Sequence, residues 1–213
     1  MRCVLLLLVS VSLMSCSNVV EVRHPIPGTG AFWIEKVPVY KRPRAPRTPR
    51  VAKTAQPPTP RYDEGEWHGD SMTGSPSMLI RLGEQKIYFY KGGQLAGVSP
   101  ISSGREGMAT RAGSFSVMEK DIDHASSLFG DYVSKDGTVL KREIDVRKDS
   151  RPPGALFDPA RMPYFMRITG AIGMHEGYLP GYPASHGCIR LPQRMAEIFY
   201  RHASVGTPVK VVP

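Results

Sequence analysis

Ser185-His186-Gly187-Cys188-Ile189-Arg190-Leu191 concentrates more chemistry than any other stretch of this 213-residue chain. A thiol lies two residues after an imidazole and two before a guanidinium, and Gly187 removes a side chain beside it. A thiol attacks as its thiolate, so a nucleophilic cysteine needs a neighbour that lowers its pKa or takes its proton. His186 is one candidate. His175 is another: it ends a predicted strand, and a loop stiffened by Pro180, Gly181 and Pro183 leads back to the same place. Backbone N–H groups around Gly187 and Cys188 could face a developing oxyanion. A helix predicted soon after Leu191 adds an N-terminal field that favours a thiolate.

Downstream, Pro192 suits a first helical turn. Leu191, Met195, Ile198, Phe199 and His202 fall at helical spacing and mark one buried face. His202 on that face reads as a core or boundary histidine, not a ligand. Gly206 is expected to close the helix, and Val209 to Val212 to form a last strand. Upstream, Pro163 to His175 reads as strand, Thr169-Gly170 turn, strand. Earlier still, Met78, Ile80 and Leu82 alternate with Leu79 and Arg81, and Lys86 to Tyr90 is β-branched and aromatic. Lys91-Gly92-Gly93-Gln94 is a hairpin signal, Leu95 to Ser102 a further strand, and Ser114 to Lys120 alternates again. These runs predict a β-meander. Asp121 to Ala160 is less regular and predicts a long excursion with one or two short strands. The expected fold is mainly β with one or two short helices.

The N-terminus has a different character. Residues 1–15 carry an apolar run from Cys3 to Met14, too short to span a bilayer and about the length of a signal-peptide core. Leu13-Met14-Ser15-Cys16 resembles a bacterial lipobox, which implies cleavage before Cys16 and lipidation of its thiol. Ser17, where Asp would imply inner-membrane retention, points to the outer membrane. The expected location is the periplasmic side of a bacterial membrane, held by a lipid anchor. Residues 16–76 read as an anchored segment and linker. Within it, Lys41 to Arg61 has seven basic and no acidic residues, and prolines at about every third position favour extended polyproline II. From Tyr62 onward 18 basic residues face 17 acidic ones, so the net charge of +9 belongs to the tether. That argues against nucleic-acid binding, which needs positive charge on a folded face. A monomer is expected, with the folded domain at residues 77–213.

Of the three cysteines, Cys3 lies in the signal and Cys16 would carry lipid, leaving Cys188 as the free thiol. His175, His186 and Cys188 could instead supply three zinc ligands. The spacing does not match a paired Cys-x-x-Cys site and no fourth ligand is evident, so neither metal nor cofactor is expected.

Ser185 to Leu191, preceded by His175, resembles the YkuD-type L,D-transpeptidase domain. Ser102-Ser103-Gly104 and Thr110-Arg111-Ala112-Gly113-Ser114-Phe115 also resemble that family, with Arg111 where Pro is usual. The resemblance runs from about Ser77 to Val212. It implies a β-sandwich of mixed sheets and an enzyme acting on peptidoglycan stem tetrapeptides. Cys188 would attack the carbonyl before a terminal D-alanine and form a thioester. An amine would then resolve it, giving 3-3 cross-links or protein attachment. His175 would be the general base, held by a backbone carbonyl. His186 would support the site, and Ser185, Gly187 and Arg190 would serve substrate and oxyanion, Arg190 meeting a donor carboxylate. The alternatives are an L,D-carboxypeptidase cleaving the same bond and a non-catalytic peptidoglycan-binding lipoprotein.

Overall fold

The apolar alternations of the sequence become strands with one face each in a core. A computed structural model describes residues 19–25, 31–41 and 65–213. In chain order the elements begin with β1 (Val19–Pro25), β2 (Phe32–Pro38), β3 (Glu66–Trp67), a 3-10 turn (Gly69–Ser71), β4 (Pro76–Arg81), β5 (Lys86–Lys91), β6 (Gln94–Pro100) and β7 (Gly113–Ser116). There follow β8 (Glu119–Val133), β9 (Val139–Asp145), β10 (Leu156–Thr169), β11 (Ile172–Glu176), β12 (Ile189–Leu191), α1 (Gln193–His202) and β13 (Pro208–Val212). They divide into two compact units, residues 65–126 with 160–213 and residues 19–41 with 127–159. The predicted signal peptide, Cys16 and residues 42–64 lie outside the described residues.

The larger unit holds a six-stranded sheet in the order β3-β6-β5-β4-β13-β7. Its register sets Met78 beside Phe89 and Val209, and Ile80 beside Ile87 and Val211. Two rows of apolar side chains therefore cross one face, as period-two alternation requires. A second sheet, β12-β11-β10-β8, brings Met166, Ile168, Met174, Ile189 and Leu191 to the same core, and α1 adds Met195, Ile198 and Phe199. Full burial of each such side chain contributes roughly 1.5–3 kcal/mol. Parallel pairs (β4 with β13, β11 with β12) stand among antiparallel ones, so this is the mixed-sheet sandwich expected, with a single α-helix.

Two local expectations change and one, the boundary place of His202, holds. The meander is interrupted: the last strand, β13, inserts between β4 and β7, a pairing no local pattern can reveal. The helix stops at His202, not at Gly206. Ala203 is already extended and buried, and the Ser204–Thr207 turn closes the segment through the Thr207 hydroxyl. His202 stacks on Trp67 at 4.7 Å and meets Asp70 at 3.4 Å, a boundary position.

The smaller unit holds the β1–β2 hairpin and the β8–β9 ladder, where the sequence suggested no regular strands at 19–38 and only short ones after Asp121. The ladder shifts register between Gly130 and Tyr132 and again before Val133. Such bulges break period two and hide a strand from periodicity. The hairpin is fixed by packing: Val22 and Val37 are fully buried with Tyr132, Ile144, Val146 and Phe157 in a second core.

Candidate active site

β11 and β12 build the site. They pair in parallel, Met174 with Ile189 and His175 with Arg190. Met174, Ile189 and Leu191 point into the core, so the alternate residues share the opposite face. One residue further back the register brings Cys188 beside Gly173, whose backbone N–H is directed at the sulfur. Cys188 and His175 thus lie on one face of adjacent strands. A side chain at Gly173 would meet the Phe165 ring at 2.4 Å and the Met166 carbonyl at 2.7 Å, so only glycine leaves the Phe165 ring and the Met166 backbone where they are.

His175 is buried and its Nδ1 donates to the Glu176 carbonyl at 2.6 Å. A carbonyl only accepts, so the neutral ring keeps Nε2 as its acceptor. Burial lowers the His175 pKa to about 4; the Glu176 carbonyl opposes this, and the charges of Arg190 and His124 add to it. Glu176 acts through its backbone here. The Cys188 thiol is pushed above its ordinary value, again mainly by burial, with the Gly173 N–H and the charges of Arg190 and Arg167 pulling the other way. Its Sγ lies 3.7 Å from the Ala171 carbonyl.

The turn before Cys188 is held from inside. Ser185 Oγ donates to the Cys188 carbonyl at 2.5 Å and accepts from the Gly187 N–H at 3.0 Å. The expectation that Gly187 offers its N–H to an oxyanion is therefore corrected: that donor is taken by Ser185, and the glycine is needed for its φ of +117°. Outside the turn, the Ser102–Arg105 segment runs alongside. Ser102 exchanges backbone hydrogen bonds with Arg190, Ser103 accepts from the Ala184 and Ser185 N–H groups, and Arg105 N–H donates to the Ser185 carbonyl. Arg105 also reaches His186 Nε2 at 3.0 Å. A guanidinium only donates, so His186 accepts there and carries its proton on Nδ1.

Among the described residues, no group of three or more His, Cys, Asp or Glu side chains is arranged to hold a metal ion. Residues 75–211 match the family model of the YkuD L,D-transpeptidase catalytic domain. The chain belongs to this family. Two solved structures share the fold of this YkuD chain: the L,D-transpeptidase LdtMt1 in complex with imipenem, and an L,D-transpeptidase from Mycobacterium smegmatis. Each is 19% identical with a TM-score of 0.50, over 65% of this chain and 59% of the other. The chain thus spans about three fifths of those proteins' length. No functionally curated protein matches it.

Two residues of this YkuD domain were given no role from sequence. Thr110 is buried; its hydroxyl donates to the Gly187 carbonyl at 2.8 Å and accepts from the Gly104 N–H at 2.9 Å. It opens the Thr110–Phe115 motif, which was the signal available. Arg105 carried no such signal, since its partner His186 is 81 residues away.

Proposed function

We propose that this domain is an L,D-transpeptidase whose Cys188 forms a thioester with peptidoglycan stem tetrapeptides. The observation that carries the reading is the pairing of a free thiol with a buried, neutral imidazole on one face of β11 and β12. In the first half-reaction the Cys188 proton passes to His175 Nε2 as Sγ attacks the carbonyl carbon before the terminal D-alanine. The tetrahedral oxyanion is met by the Cys188 N–H, the donor left once Ser185 has taken that of Gly187. The C–N bond then breaks, His175 returns the proton to the departing D-alanine amine, and a thioester remains. In the second half-reaction an acceptor amine attacks the thioester carbonyl, gives its proton to Nε2, and Cys188 leaves as the thiol it began as. Arg190, on the same face as Cys188 and His175, is assigned to a carboxylate of the donor stem. Ser185, Gly187 and His186 are assigned to holding the turn that aims the thiol.

The test is mass spectrometry of a tetrapeptide-bearing muropeptide incubated with the wild-type and Cys188→Ala proteins. Wild type should release D-alanine and yield a cross-linked dimer when an acceptor stem is present. Product from Cys188→Ala would overturn the assignment. D-alanine release without a dimer would replace transfer by hydrolysis of the same thioester.

A further inference from the structure

The smaller unit carries a cavity of about 340 Å³ that the chemistry at Cys188 does not use. It opens at the end of the β1–β2 hairpin. The hairpin face that buries Val22 and Val37 continues outward to His24, Trp33 and Glu35, since residues two apart on a strand share a face and His24 pairs with Trp33. Beyond the core this face reaches solvent. Trp33 is 50% exposed. Its indole is held flat by His24, with ring centroids 4.1 Å apart and planes 13° from parallel. His24 is in turn fixed by Glu35, Nε2 to Oε2 at 3.1 Å. A large aromatic ring clamped on one face and open on the other is a preorganised stacking platform. The fully buried Tyr132 forms the floor.

The opposite wall is charged. Arg147 is committed to Asp145 through two hydrogen bonds, and Asp149 to Lys141 at 2.6 Å. Lys148 and Arg151, both exposed, make no ion pair among the described residues. The cavity therefore offers an apolar ring face, a carboxylate acceptor at Glu35, and two cations at the far wall. The volume lies in the range of small-ligand sites.

We propose that this cavity binds a saccharide bearing a carboxylate, with the sugar ring on Trp33, a hydroxyl on Glu35 and the carboxylate on Lys148 and Arg151. A sugar ring presents C–H groups to an indole face and hydroxyls at its edge, and guanidinium and ammonium groups match the anion. The site does not depend on the reaction proposed for Cys188, and its test reads binding alone.

Titration calorimetry of the full chain with N-acetylmuramic acid, N-acetylglucosamine and inorganic phosphate tests the assignment, with tryptophan fluorescence of a Trp67→Phe background reporting on Trp33. N-acetylmuramic acid should bind saturably and quench that fluorescence, about tenfold or more tighter than N-acetylglucosamine. Trp33→Ala should abolish binding of both sugars. Lys148→Gln with Arg151→Gln should remove the preference for the acid while leaving the neutral sugar unaffected, and circular dichroism should show both variants folded. Absence of saturable sugar binding, equal affinity for the two sugars, or binding unchanged in Trp33→Ala would each overturn the proposal. Phosphate binding as tight as that of the acidic sugar would replace it with a simple anion site.

Discussion

Replacing Thr110 by Val tests whether the turn before Cys188 is held from the Gly104 side. Valine keeps the shape of threonine and puts a methyl where the hydroxyl was. That hydroxyl joins two backbone groups, the Gly104 N–H at 2.9 Å and the Gly187 carbonyl at 2.8 Å, and Thr110 itself is 5% exposed. The methyl that takes its place leaves no room for a bridging water. Each of the two backbone groups left without a partner costs about 1–3 kcal/mol, so the variant should lose roughly 2–6 kcal/mol of stability. The loss falls next to Cys188, and a displacement of about 1 Å at a reacting atom costs on the order of 100-fold in rate. Urea unfolding gives the first quantity and D-alanine release from the muropeptide at saturating substrate the second. Thr110→Ser keeps the hydroxyl and serves as control, with a loss of about 1 kcal/mol for one buried methyl. A Thr110→Val protein within about 0.5 kcal/mol of wild type, with unchanged turnover, would refute the reasoning, because ordinary surface substitutions stay inside that range.

The pH dependence follows from His175. Its value of about 4 lies below the ordinary 6.5, so the unfolded chain takes the proton first as pH falls. The stability associated with keeping it neutral is complete above about pH 6.5 and is lost down to about pH 4, a drop of roughly 3 kcal/mol visible in denaturant titrations. The acid limb of kcat/KM should fall near pH 4; a limb at pH 6 to 7 would contradict burial of the base. Gly173→Ala should cost about 1–3 kcal/mol by thermal or urea unfolding, because its Cβ would lie 2.7 Å from the fixed Met166 carbonyl as well as against Phe165. The proposed lipid anchor on Cys16 is tested by Cys16→Ser, which should shift the protein to the soluble fraction on fractionation; retention in the membrane fraction would refute it.

The larger core was legible because its strands obey period two: Met78, Ile80, Ile87 and Phe89 are buried as their alternation implies. Cys188 and His175 stood out in the sequence as a candidate nucleophile and base, and the observed pairing of β11 with β12 sets their segments side by side. What was hidden is non-local. The β13 insertion joins Val209 to Met78 across more than half the chain, and local patterns do not encode such pairings. The β8–β9 ladder was masked by its bulges, and the β1–β2 hairpin is specified by Val22 and Val37 meeting residues beyond 130. In the site, the family resemblance implied a substrate or oxyanion role for Ser185. Its actual partners are the two backbone groups of its own turn, a local competition for hydrogen bonds that small polar side chains commonly win.

Burial acts on the proposed pair in a single direction. It raises the thiol and lowers the imidazole, so both favour the neutral form and the resting site is an uncharged thiol beside an uncharged base. Arg190 does not reverse this, because its charge favours a thiolate and disfavours an imidazolium by the same Coulombic argument. Proton transfer is then unfavourable until something else compensates the charge it creates. In the proposed reaction the substrate supplies that compensation: negative charge leaves sulfur for the carbonyl oxygen, where the Cys188 N–H receives it, while a donor carboxylate occupies Arg190. On this proposal the thiol gains its nucleophilicity when a stem peptide is in place. Without substrate the upward push on the thiol favours its protonated form, the one least open to disulfide exchange and oxidation.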